Sequence, residues 1–183
     1  AVLRGQFLTE AKTIAGLHHP NIVRLFDYGV VSDEFDGGME AVFRVGAPYY
    51  VMEYFSEGTL RDQLPKLSWA ELKQHLLSIL DALATAHAHG LVHRDLKPSN
   101  ILVGAKGPVI SDFGIAYDVN STHVSETVGF TGTPNYMAPE QFREQRRAFG
   151  PWTDLYAVGC LTYWLCTFMP PFRCGSVSEL IVN

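Results

Sequence analysis

The eight residues His93-Arg94-Asp95-Leu96-Lys97-Pro98-Ser99-Asn100 carry more information than any other run in this chain. They set a carboxylate, an ammonium and an amide close together, at Asp95, Lys97 and Asn100. Two shorter motifs follow in order. Asp112-Phe113-Gly114 begins 17 residues after Asp95, and Ala138-Pro139-Glu140 ends 28 residues after Asp112. A given tripeptide turns up by chance in about one chain in fifty of this length, so each is weak alone. The octapeptide and both tripeptides, in this order and spacing, lie far beyond chance.

Helical patterns flank these motifs. Upstream, Ser68 and Glu71 form a capping box. Trp69, Leu72, Leu76, Ile79, Leu80 and Leu83 then recur at helical spacing as far as Gly90. Downstream, residues 155–172 hold 18 residues without a charge. Pro170 and Pro171 end that run, leaving about 15 helical residues, or roughly 22 Å, too short for a bilayer. A helix apolar on all sides is expected there, in the core. Ser176 and Glu179 offer another capping box. Before Ser68, residues 6–17 read as an amphipathic helix with Phe7, Ala11, Ile14 and Ala15 on one face. Segments 22–29 and 48–54 read as strands, and Leu91-Val92, 101–103 and 108–111 as short ones. The stretch 30–47 lacks the ligand spacing of a calcium loop, since Phe35 and Arg44 occupy its third and twelfth positions, and reads as a surface loop or extended hairpin.

Composition narrows the function. Of 183 residues, 47% are apolar, enough for a sizeable core, and the net charge is -5. A mildly acidic chain without a basic block is a poor partner for nucleic acid or an anionic membrane face. Cys160, Cys166 and Cys174 suit neither a disulfide framework nor a zinc knuckle. His87, His89, His93 and Asp95 lack a recognised zinc spacing.

With these motifs the chain resembles a eukaryotic-type serine/threonine protein kinase across nearly its whole length. The runs HPNIVRLFDYG, DFGIA, MAPEQ and TDLYAVGC are similar to the bacterial members. The resemblance implies an α+β, bilobal fold, represented in part. Residues 1–53 would be the remainder of a small lobe with a helix and strands, 54–59 a hinge, and 60–183 the upper part of a mainly helical large lobe. It implies that Asp95 is the catalytic base and Lys97 contacts the transferring phosphate. Asn100 and Asp112 would hold Mg²⁺, or Mn²⁺ in its place, on ATP. Glu10 would pair with an ATP-binding lysine. Met52 would border the adenine pocket, Glu53 and Phe55 would bind adenine through their backbone, and Leu102 would pack beneath it. Thr133 would contact Asp95 and Lys97. Ile14, Leu25, His93 and Phe113 would form a hydrophobic spine anchored on Asp154, and Glu140 would pair with a later arginine.

Arg94 before Asp95 implies control by phosphorylation of the loop that follows, with Ser125 and Thr127 as the best placed acceptors and Ser121, Thr122 and Thr131 as others. Tyr117 stands where many such kinases have a second basic residue. The expected partners are proteins phosphorylated on Ser/Thr, with autophosphorylation in trans, and neither nucleic acid nor membrane. The expected location of the domain is cytoplasmic. No Gly-rich loop precedes the first helix and no lysine precedes Glu10. The family pattern is therefore expected to continue beyond both ends, and residues 1–183 alone are expected to be inactive. Two other readings are a pseudokinase serving as a binding module, and a small-molecule phosphotransferase. Lys97, Thr133 and the Ala-Pro-Glu segment speak against the latter.

Overall fold

The first helix, α1 (Val2–Gly16), buries Phe7, Ala11 and Ile14 at helical spacing. The computed structural model describes residues 2–32, 45–62, 67–113, 134–142 and 149–172, with residues 2–4 and 6 described through their backbone alone. α1 begins four residues before the expected start at residue 6. No proline interrupts those residues, and the helix simply continues through them. Leu17 closes it by donating its N–H to the Ile14 carbonyl at 3.0 Å.

Strands β1 (Leu25–Val30) and β2 (Pro48–Met52) pair antiparallel, with Leu25 opposite Met52 and Tyr28 opposite Tyr50. β1 starts later than the expected residue 22. The chain there pairs elsewhere: Ile22 bridges Ile110, and the Val23 N–H donates to the Ile110 carbonyl at 2.9 Å. β2 ends at Met52 rather than 54, where the Glu53 N–H turns to the Arg24 carbonyl. Val31 pairs with both Gly46 and Ala47, so the ladder extends toward the connection as a hairpin would. Residues 33–44 lie outside the described residues.

The segment after β2 leads from the first sheet to a second. Strands β3 (Ile101–Gly104) and β4 (Gly107–Ile110) form that antiparallel hairpin. The Leu60 N–H donates to the Ile101 carbonyl at 2.7 Å, and the Val103 N–H to the Gly58 carbonyl at 3.0 Å. Residues 58 and 59, the end of the expected hinge, and Leu60 just after it thus run along the edge of β3.

Helix α2 (Trp69–Ala88) opens with the anticipated capping box. The Glu71 N–H donates to Ser68 Oγ at 3.4 Å, and the Ser68 N–H to Glu71 Oε2 at 2.7 Å. Ser68→Ala should therefore lower stability by about 1 kcal/mol, a fall of about 2–4 °C in the melting temperature of the domain. Leu72, Ile79, Leu83 and Ala86 are buried, but Trp69 and Leu80 are exposed, against expectation. The buried stripe is narrower than the apolar pattern, because only one side of α2 faces the core. Leu91-Val92 is not a strand. Gly90 takes a positive φ of 73°, and the Leu91 N–H returns to the Ala86 carbonyl, so the pair completes a helix C-cap.

Two short elements follow, a single turn at Pro134–Tyr136 and α3 (Pro139–Phe142). Helix α4 (Pro151–Thr167) starts with proline in its first turn, and the Gly150 N–H donates to Thr153 Oγ1. Asp154, Ala157, Val158, Leu161 and Leu165 are buried, while Trp152, Leu155 and Tyr163 are exposed. The expectation of burial on all sides is thus corrected: the described elements pack against one face only. No helix among the described residues is long and apolar enough to cross a membrane. The capping box at Ser176 and Glu179 lies outside them.

Candidate active site

The octapeptide is an irregular loop between α2 and β3, ending in a single helical turn at Pro98–Asn100. The β3–β4 hairpin folds Ser111 back onto Asn100. The Ser111 N–H and Oγ both reach the Asn100 carbonyl, at 2.9 and 3.2 Å. This doubling back brings Asp112 beside the loop although 17 residues separate it from Asp95.

Asp95 Oδ2 is held by two donors, Lys97 Nζ at 2.7 Å and Asn100 Nδ2 at 3.0 Å. Asn100 Nδ2 also donates to the Asp95 carbonyl at 2.8 Å. Oδ1 accepts no hydrogen bond from the described residues. Among the described residues the carboxylate therefore has one oxygen clamped and one left to receive a proton. Asn100 spends its amide hydrogens on Asp95 and keeps Oδ1 as an acceptor. That oxygen and the Asp112 carboxylate are hard donors of the kind Mg²⁺ selects, and Ser111, whose hydroxyl lies within reach of both the Asn100 carbonyl and Asp112 Oδ2, holds the two residues side by side, so they fit such an ion.

A buried carboxylate fixes the loop from below. Asp154 is 1% exposed. Its Oδ2 accepts from His87 Nε2 at 2.7 Å and the His93 N–H at 2.8 Å, and its Oδ1 accepts from the Arg94 N–H at 2.8 Å. Arg94 takes a positive φ of 67°, which a non-glycine residue keeps only when its surroundings impose it. His93 is fully buried, with its ring 4.8 Å from that of Phe113. Its Nδ1 accepts the Asp95 N–H at 3.2 Å, so Nε2 donates to the Ser111 carbonyl at 2.9 Å. The rings of His87, His89 and His93 thus go to three separate partners, Asp154, the Thr85 carbonyl and the Ser111 carbonyl. Ile14 and Leu25 are buried as well.

Burial holds the His93 imidazole below its ordinary pKa, although Asp154, the Ser111 carbonyl, Asp95 and Asp112 oppose the shift. The unfolded chain gains that proton near pH 6.5 and the folded one only lower. His93 thus contributes stability that is complete above about pH 6.5 and lost as the pH falls toward the folded value. Melting temperatures between pH 7.5 and 5.5 should fall less steeply for His93→Phe than for the unaltered protein. Equal slopes would refute this assignment.

Arg94 Nη1 meets Glu10 Oε1 at 3.3 Å, so α1 is tied directly to the octapeptide. Arg94 Nε is buried without a partner among the described residues. Two further contacts escaped the sequence reading. Gln141 Nε2 donates to the Arg94 carbonyl at 2.7 Å, and Gln141 Oε1 accepts the Ala138 N–H at 2.9 Å. This buried amide clips the Ala-Pro-Glu segment to the loop. Glu140 Oε1 accepts from Thr153 Oγ1 at 2.7 Å, at the start of α4.

Met52, Phe55 and Leu102 are partly buried against the core. The Glu53 N–H is taken by the Arg24 carbonyl at 3.1 Å, so its own carbonyl is what Glu53 can offer a ligand. The Tyr50 hydroxyl donates to Asp112 Oδ1. Burial first, then that hydrogen bond and the charge of Asp112, keep the phenol protonated far above its ordinary range. Strand alternation from Met52 would have placed Tyr50 on the inner face, but nothing in the sequence announced its partner. Ser125, Thr127, Thr133, Tyr117 and Gly114 lie outside the described residues.

Residues 3–182 match the family described as "Protein kinase domain". A probable serine/threonine-protein kinase PknB of Bifidobacterium longum is 37% identical over 179 residues, covering 93% of this chain and 25% of that protein. Serine/threonine-protein kinase PknB of Mycobacterium leprae is 37% identical over 173 residues, covering 91% of this chain and 26% of that protein. Serine/threonine-protein kinase PkaA of Streptomyces coelicolor is 38% identical over 182 residues, covering 96% of this chain and 31% of that protein. The chain thus spans between a quarter and a third of the length of these relatives.

Proposed function

The chain belongs to the protein kinase family, and on that premise we propose that the full-length protein transfers the γ-phosphate of ATP to serine and threonine hydroxyls of proteins. The observation that carries this reading is Asp95, with one oxygen clamped by Lys97 and Asn100 and the other open among the described residues. Phosphoryl transfer needs positioning and charge neutralisation more than covalent chemistry. Asp95 Oδ1 orients the acceptor hydroxyl and takes its proton. Lys97, already fixed beside Asp95, supplies positive charge next to the transferring phosphate. Asn100 Oδ1 and Asp112 hold Mg²⁺, or Mn²⁺, which neutralises phosphate charge when bound.

Met52, Phe55 and Leu102 form the apolar bed for adenine, and the Glu53 carbonyl and Phe55 backbone its polar edge. Glu10 positions α1 against the catalytic loop, and Thr133 completes the contact with Asp95 and Lys97. Arg94, with Nε unsatisfied among the described residues, receives a phosphate placed on Ser125 or Thr127, in trans by a second copy. ATP as donor and the free thiols of Cys160 and Cys166 suit a cytoplasmic catalytic domain.

The test is transfer of labelled γ-phosphate from ATP to a Ser/Thr protein substrate by the full-length protein. Nucleotide binding without any transfer would replace this reading with a binding module.

A further inference from the structure

Asp112 has one strong side-chain donor among the described residues, the Tyr50 phenol on Oδ1. Ser111 Oγ lies 3.3 Å from Oδ2, but the same hydroxyl lies 3.2 Å from the Asn100 carbonyl and has a single proton to give. Tyr50 belongs to β2, 62 residues away, and its ring packs against the core on the face it shares with Met52. The direction of its hydroxyl is therefore set by packing rather than by a free rotor. Asp112 is equally constrained. It holds a positive φ of 53°, and the next residue, Phe113, is buried against His93. Two fixed elements thus meet at a carboxylate oxygen.

We propose that Tyr50 is a latch on Asp112: its phenol holds Oδ1, and a divalent cation loads by taking that oxygen from it. This rests on the reading of Asp112 as a metal ligand. A hydrogen bond to an ionised acceptor is stronger than a neutral one, and it draws on the same oxygen charge a cation needs. The phenol therefore stabilises the metal-free state more than the loaded state, and only such a difference can shift the equilibrium. Tyr50 also stands two residues before Met52, on the strand that leads to the proposed adenine edge. A nucleotide seated at 53–55 acts on the strand that carries the latch.

The probe is Mn²⁺, whose free concentration is read by electron paramagnetic resonance. It is titrated into the full-length protein with and without a non-hydrolysable ATP analogue. Tyr50→Phe keeps the ring and removes the hydroxyl, and Tyr50→Leu provides a second variant without it. Melting temperatures confirm that both fold. Each should bind Mn²⁺ about tenfold tighter at the site that Asp112→Ala abolishes. Unchanged or weaker affinity in the Tyr50 variants, with binding lost in Asp112→Ala, overturns the latch alone. Undiminished Mn²⁺ binding in Asp112→Ala overturns the metal-ligand reading itself, whatever the Tyr50 variants do.

Discussion

Asp95→Asn should lower phosphate transfer by the full-length protein by about 10²–10⁴-fold or more, with the fold untouched. An asparagine can place its oxygen where Oδ2 now accepts from Lys97 Nζ and Asn100 Nδ2, and so keep both contacts. Its amide nitrogen then occupies the position of Oδ1. That group cannot take a proton from an acceptor hydroxyl, which is the step assigned to Asp95. The Asp95–Lys97 pair is partly exposed, so losing its charge should change stability by less than about 1 kcal/mol. The measurements are the transfer rate at saturating ATP, nucleotide affinity and melting temperature. A rate equal to that of the unaltered protein would remove Asp95 from its role. A rate loss accompanied by a large drop in melting temperature would make its role structural.

Asp154→Asn should do the reverse, losing stability first. Three donors converge on this carboxylate, from His87 and from the backbone of His93 and Arg94. Asparagine offers one acceptor oxygen, so its NH₂ group must face at least one N–H as donor against donor. At a site only 1% exposed, no water replaces the lost acceptor. Removing one partner from a buried polar cluster of this kind costs about 3–5 kcal/mol. In a domain of this size that lowers the melting temperature by about 10 °C. Activity should fall as well, because the left-handed backbone at Arg94 depends on these bonds to stay in place. An unaltered melting temperature would show that Asp154 does not anchor the loop. The two variants together separate chemistry from scaffolding.

Much of the architecture was legible because its signals are local. The capping box at Ser68 and Glu71 needs only four consecutive residues, and it stands as read. The stripe Phe7, Ala11, Ile14 follows from helical periodicity. The kinase family membership was legible from three motifs, none of which requires knowledge of packing. The errors share one cause. Ile22 and Val23 have strand character, but the carbonyl that claims Val23 belongs to Ile110. Leu91-Val92 looks like a strand until the Gly90 turn sends its first N–H back to Ala86. Trp69 and Leu80 are apolar, yet the direction of the core was not written in the helix that bears them.

The sequence by itself determined the inventory: which acids, amides and lysine are present, in what order, and to which family that order belongs. The tertiary structure decided the pairings. It set Arg94 against Glu10, 84 residues apart, Gln141 against Arg94, 47 apart, and Tyr50 against Asp112, 62 apart. Hydrogen bonds act over about 3 Å and need aligned donors and acceptors. Which groups come within that range depends on how sheets and helices pack, and no local pattern records it. The clamp on Asp95 sits between these cases. Its three residues are neighbours in the chain, but the buried Asp154 beneath the loop sets the backbone in which they meet.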